Sequence, residues 1–157
     1  MPGPPNASEQ SKFMQLAVAE AWKCTPSAQA FCVGAVLVRS SQVLSTGFSR
    51  ELEGNTHAEQ CAIDKLITAR GHEDALELMK GAEMYTTMEP CSVRLSGNKP
   101  CTDRLLEVGI GRVCLGTMEP DEFVVCEGVQ KLRDGGVEVI AVDGFAEQCL
   151  RVAKRGH

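Results

Sequence analysis

The chain has 157 residues, with 16 Lys and Arg against 21 Asp and Glu, a net charge of −5, and 43% hydrophobic and 24% charged residues. This is the make-up of one globular domain with its own core, and the acidic balance argues against extended nucleic-acid backbone as a partner. No apolar run approaches the ~20 residues of a membrane span, and the amino terminus lacks the basic start and apolar middle of a signal peptide. A cytoplasmic protein with no membrane partner is therefore expected.

In chain order, residues 1–10, MPGPPNASEQ, are rich in Pro, Gly and polar groups and are expected to be a flexible arm. That leaves 11–157 as a single domain without repeat or linker. From about Ser8 to Lys23 a helical stripe runs through Phe13, Leu16, Ala17 and Ala21. Phe31–Val38 and Val43–Ser49 are apolar, β-branched runs on either side of the turn RSSQ, and predict a hairpin. The loop RELEGNT leads to a helix from His57 that stops at Gly71, and HEDALELMKG predicts a second helix. EMYTT then reads as a strand, CTDRLLEVG as a helix ending at Gly109, GRVCLGT as a strand, EGVQKLRDGG as a helix, VEVIAV as a strand and FAEQCLRVAKR as a closing helix. Such alternation requires crossovers, hence an α/β fold with a partly parallel sheet and helices on both faces.

Eight cysteines in a chain with no secretion signal are expected to be free thiols. Cys24, Cys32, Cys61, Cys114, Cys126 and Cys149 lie among apolar neighbours and read as small packed hydrophobes. Cys91 and Cys101 differ, because each follows a proline in a polar segment.

The stretch HAEQCAI poses a problem of angle. Residues two apart on a helix point about 200° away from each other, since each turns the chain by about 100°. Glu59, Ala62, Ile63 and Leu66 share the inward stripe, so Glu59 is buried there and needs a partner. His57 can join it at one site only from the cap or first position, outside regular helix, and Thr56 or Asn55 just before it suits that boundary. Downstream, EPCSVRLSGNKPC puts Cys91 at a strand end and Cys101 at a helix start, with nine residues between them. Helix starts favour thiolate, the form that binds zinc. His57, Cys91 and Cys101 make three ligands, the number a catalytic zinc site uses while keeping one place for water. Cys61 shares the face of His57 only if His57 lies within regular helix, and reads as a packed thiol. With zinc in place Glu59 is the expected proton carrier for a water nucleophile.

His-x-Glu followed by Pro-Cys and a second Cys resembles the zinc-dependent cytidine and deoxycytidylate deaminases. The long gap ending in GNKPC, with AFCVGAVLV, TMEPCSVRLSGNKPCTDRLLEVGIGRVCLGTMEPD and DGGVEVI, is most similar to the fungal-type pyrimidine deaminases of riboflavin biosynthesis, over roughly Met14 to Val142. The resemblance implies a three-layer α-β-α cytidine-deaminase-like fold with a mixed sheet of about five strands. It also implies a homodimer, and hydrolytic deamination of 2,5-diamino-6-ribitylamino-4(3H)-pyrimidinone 5'-phosphate, a small phosphorylated pyrimidine. Bacterial relatives carry Pro-Asn-Pro where this chain reads AFCVG, so the asparagine contact of that branch is absent, and the reductase is expected on a separate chain. Asn55, Ser92, Arg94, Asn98 and Lys99 flank the ligands on loops and are the expected substrate contacts, with Arg94 or Lys99 facing the phosphate. The competing readings are a deaminase of another base or nucleotide and a non-catalytic zinc-stabilised module.

Overall fold

In the computed structural model, which describes residues 5–92, 94, 97–118 and 127–157, Asn6 starts the first element. Its side chain accepts from the Glu9 N–H at 2.8 Å and caps helix α1 (Ala7–Ala21). Residues 7–10, expected in the arm, therefore belong to the helix, because Asn6 supplies the acceptor that its first turn lacks.

Strands β1 (Gly34–Arg39) and β2 (Gln42–Phe48) form the hairpin. Ser40 and Ser41 turn it with positive φ of 50° and 62°, the reversed turn whose twist suits paired strands. β1 starts three residues later than expected. The Cys32 N–H is taken by the Ala153 carbonyl at 3.0 Å and the Val33 N–H by Ser49 Oγ at 2.8 Å, so neither joins a ladder.

Then follow α2 (Ala58–Arg70), α3 (His72–Met79), β3 (Glu83–Met88), α4 (Cys101–Glu107), β4 (Arg112–Thr117), α5 (Gly128–Asp134), β5 (Glu138–Ala141) and α6 (Ala146–Ala153). The sheet order is β2-β1-β3-β4-β5, with β1 antiparallel to both neighbours and β3, β4 and β5 parallel. The expected mixed five-stranded sheet is the one observed.

Alternation along the strands feeds two apolar layers. Ala35, Leu37, Met84 and Val113 face Ala62, Ile63 and Leu66 of α2, Met79 of α3, Leu105 of α4 and Leu132 of α5. Val36, Val38, Tyr85 and Cys114 face Phe13, Met14 and Ala17 of α1 and Cys149 of α6. Two glycines set how closely the layers approach. A Cβ on Gly34 would collide with the Ala17 carbonyl and the Ala21 nitrogen of α1, and one on Gly47 with the Ala58 carbonyl and the Ala62 nitrogen of α2.

Cys61, Cys114 and Cys149 are fully buried and pack as expected, and burial pushes the Cys114 and Cys149 thiols up to about 12. Cys126 lies outside the described residues. Cys24 and Cys32 are not isolated packers, for their sulfurs lie 2.6 Å apart. Among the described residues no helix is long and apolar enough to cross a membrane.

Candidate active site

His57 is the N-cap of α2, with extended backbone (φ −95°, ψ 160°). It stands just outside regular helix, as the angular argument requires, and the Cys61 N–H donates to its carbonyl at 2.9 Å. Thr56 does not cap the helix, since its hydroxyl donates to the Leu52 carbonyl at 2.8 Å. One step into α2, Glu59 is 3% exposed. After the hydrogen bond to Cys91 and burial, the charge of its carboxylate adds to what pushes the Cys101 thiol up.

Cys101 is the first residue of α4, and the free N–H groups of that helix start reach back to Cys91. The Cys101 N–H donates to Cys91 Sγ at 3.2 Å and the Thr102 N–H to the Cys91 carbonyl at 3.2 Å. Both sulfurs face one nitrogen of the imidazole, with His57 Nδ1 3.6 Å from Cys91 Sγ and 3.4 Å from Cys101 Sγ.

The three donors lie within 4.8 Å of one another. A tetrahedral zinc ion with Zn–S of about 2.3 Å and Zn–N of about 2.0 Å puts nitrogen and sulfur about 3.5 Å apart, so the imidazole and thiols already stand at ligand spacing. Charge suits the same role. The hydrogen bond from the Cys101 thiol, helped by that from His57, holds Cys91 well below the ordinary thiol range against the opposing effect of burial. Cys101 is pushed up by the hydrogen bond it makes to Cys91 and then by burial. The pair thus favours the thiolate form on Cys91, the form that binds a metal. Cys61, though buried, is not part of this group.

The loop residues divide by burial. Arg94 is 7% exposed. Its guanidinium donates to the Asn55 carbonyl, to Gln60 Oε1 at 3.2 Å and to the Lys99 carbonyl at 3.4 Å. It thereby fastens the segment before His57 to the segment before Cys101. Lys99 is exposed and paired with Glu107 at 2.8 Å. Asn55 and Asn98 are exposed. Ser92 Oγ accepts from the Glu127 N–H at 3.0 Å and the Ser92 carbonyl from Lys131 at 3.5 Å. Of the two cations read as phosphate partners, Arg94 is occupied by carbonyls inside the loop and Lys99 is at the surface.

Two supports escaped the sequence reading. Gln60 meets both Arg94 and the His57 N–H, the latter at 3.4 Å. Glu89 is 4% exposed and accepts from the Val129 N–H at 3.0 Å, anchoring the start of α5 beside Pro90 and Cys91. A carboxylate between an apolar strand and a Pro-Cys pair was the available signal.

A half-buried imidazole at one helix start, a buried thiol at another and a second buried thiol just beyond the central strand of a mixed sheet define a zinc-binding α/β protein. The chain belongs to the cytidine and deoxycytidylate deaminase zinc-binding family, whose model matches residues 7–117. It is 51% identical over 146 residues, 93% of this chain, to the diaminohydroxyphosphoribosylamino-pyrimidine deaminase of Schizosaccharomyces pombe, of which it spans 35%. It is 37% identical over 107 residues to the riboflavin biosynthesis protein RibD of Aquifex aeolicus, covering 68% of this chain and 27% of that protein. The Aspergillus oryzae Rib2 deaminase, solved as a C-terminal deletion mutant in complex with DARIPP, superposes with a TM-score of 0.85 at 33% identity over 95% of this chain and 92% of that one. The chain thus spans only 35% and 27% of the length of these two curated relatives.

Proposed function

We propose that the chain is a hydrolytic deaminase of riboflavin biosynthesis that converts 2,5-diamino-6-ribitylamino-4(3H)-pyrimidinone 5'-phosphate to 5-amino-6-ribitylamino-uracil 5'-phosphate and ammonia. The observation that carries this reading is the meeting of His57, Cys91 and Cys101 beside the buried Glu59. It occurs in a chain that shares half its residues with a fungal deaminase of that class, and the Aspergillus relative's complex with DARIPP supports the substrate class.

In this mechanism His57, Cys91 and Cys101 would hold zinc, which would supply Lewis acidity and a water that is nucleophilic near neutral pH. Glu59 accepts the water proton on a carboxylate oxygen and passes it to the ring nitrogen beside the amino-bearing carbon. It then takes the remaining proton from the hydroxyl now on that carbon and delivers it to the departing amine as the carbonyl forms and the C–N bond breaks, so that one water is consumed and one ammonia leaves. Burial of the carboxylate keeps that proton from exchanging with bulk water. Asn55, Ser92, Asn98 and Lys99 bind the substrate from the surrounding loops, and Lys99 turns from Glu107 to the phosphate. Arg94 contributes by holding those loops together. The zinc deaminase domain, residues 11–157 with the start of α1, works as a cytoplasmic homodimer whose partner subunit closes the pocket.

The test is ammonia release from a panel of the ribityl pyrimidine phosphate, its unreduced ribosyl counterpart, cytidine and deoxycytidylate, with zinc content measured in parallel. Turnover of the ribityl compound that is lost in Glu59→Gln with zinc retained supports the proposal. Turnover of cytidine compounds alone reassigns the substrate. Full function in Glu59→Gln, with unfolding on zinc removal, makes the domain a structural module.

A further inference from the structure

Away from the metal ligands, the connection between α1 and β1 brings two thiols together. Cys24 Sγ and Cys32 Sγ are 2.6 Å apart, with Cys24 2% and Cys32 0% exposed. Between them, Thr25, Pro26, Ala28 and Gln29 are exposed, so the pair closes the base of a surface loop.

The backbone on each side is pinned. Arg155 donates to the Trp22 carbonyl at 3.0 Å and the Cys24 carbonyl at 3.2 Å, and the Cys32 N–H donates to the Ala153 carbonyl at 3.0 Å. A third group faces the sulfurs. The Arg50 guanidinium lies 2.9 Å from Cys24 Sγ, 3.9 Å from Cys32 Sγ and 2.8 Å from the Thr25 carbonyl. A cation on a thiol pair favours the thiolate that begins thiol chemistry. Burial, then the contact with Cys32, pushes Cys24 up to about 12 while Arg50 and Arg155 pull the other way, so that first step is slow at neutral pH.

We propose that Cys24 and Cys32 are a redox modification site, closing to a disulfide when the protein meets a peroxide. A disulfide bond is about 2.05 Å long, so sulfurs 2.6 Å apart need to approach by only about half an ångström. One sulfur, as thiolate, attacks a peroxide oxygen, breaking the O–O bond to give a sulfenic acid and, with the thiol's proton, water. The second sulfur attacks the first, forming the S–S bond and expelling hydroxide, which takes the second thiol proton and leaves as water. The two thiols lose two electrons and two protons, and hydrogen peroxide becomes two waters. The dithiol returns on reduction by a thiol. Proximity decides the outcome, because the resolving sulfur is already in contact and competes with further oxidation of the sulfenic acid.

The test uses the full zinc-loaded chain treated with hydrogen peroxide and then denatured with an alkylating agent. Peptide mass mapping reads which cysteines escape alkylation. The expected result is joint loss of labelling at Cys24 and Cys32 and a peptide lighter by two hydrogens. Dithiothreitol restores both, zinc content is unchanged, and proteolysis within residues 25–31 slows in the oxidised form. In Cys32→Ser, Cys24 is expected to remain alkylatable or to go on to sulfinic acid. Labelling of both cysteines in the oxidised wild-type protein, independent sulfinic acids at the two sites, or oxidation confined to Cys91 and Cys101 with loss of zinc would overturn the proposal. The wild-type mapping alone decides it, even if the variant fails to fold.

Discussion

The backbone N–H of Cys101 donates to the sulfur of Cys91 at 3.2 Å, so the residue that opens α4 also favours its neighbouring thiol as an anion. This makes the metal-free protein pH-sensitive in a definite direction. Cys91 is held well below the ordinary thiol value of 9.0, so between its lowered value and 9.0 the folded chain binds fewer protons than the unfolded one. Stability from this group is lost as pH falls through the folded value and fully present above 9.0, so it rises with pH across that window. Cys101 is shifted upward, and its contribution fades as pH rises above 9.0. Urea unfolding of the chelated protein at about pH 6 and about pH 8 should show greater stability at the higher pH, with the difference reduced in Cys91→Ser.

Glu59→Gln keeps the shape of the side chain and removes its ability to carry a proton. Turnover should fall by roughly 10²- to 10⁴-fold, while zinc content and thermal unfolding stay near those of the parent. A comparable loss of zinc would show that the carboxylate serves the metal site rather than the proton path.

Arg94 is a different kind of residue from Lys99, despite sitting on the same loop. Arg94→Ala removes donors to the Asn55 carbonyl, Gln60 and the Lys99 carbonyl. Bonds from charged donors are each worth about 1.5–3 kcal/mol, so urea unfolding of the zinc-loaded protein should show a loss of at least that size, with faster zinc release to a chelator. Arg94→Lys recovers only part, because an ammonium cannot span three acceptors in a plane.

Lys99→Ala tests the rim. KM for the phosphorylated substrate should rise, with little change for the dephosphorylated compound and none in zinc content. Equal effects on both compounds would remove the phosphate contact from Lys99.

Gly34 and Gly47 set the spacing of the layers, so alanine at either position must push backbone against backbone. Overpacking of this kind costs about 1–3 kcal/mol, and denaturant unfolding should show a loss at the top of that range or beyond. At Gly47 the displaced element is α2, which carries His57 and Glu59, so zinc affinity should fall there and not at Gly34.

The elements and the meeting of His57, Cys91 and Cys101 were legible because their signals are local. Periodicity marked the helices and strands, and the clash between a two-residue spacing and a helical angle forced His57 to the helix boundary, where it is found. Asn6 with Glu9 three residues on was an equally local signal for the start of α1, overlooked because Pro and Gly dominate the preceding residues. What sequence could not convey depends on segments meeting in space. Arg94 reads as a loop cation, and only the fold turns it inward onto Asn55 and Lys99. Cys24 and Cys32 each sit among apolar neighbours, and nothing in that pattern says that the α1–β1 connection folds back to bring the sulfurs together.

Strand β3 separates the two apolar layers, sending Met84 to one and Tyr85 to the other, and then delivers the chain to Cys91. A one-residue insertion or deletion within it would exchange every side chain between layers and displace the thiol at the same stroke. The length of this strand is therefore fixed twice over in this chain, by the layering of the core and by the position of the thiol. By contrast, only the exposed tip of the α1–β1 connection, between Cys24 and Cys32, can lengthen without moving a side chain of either layer.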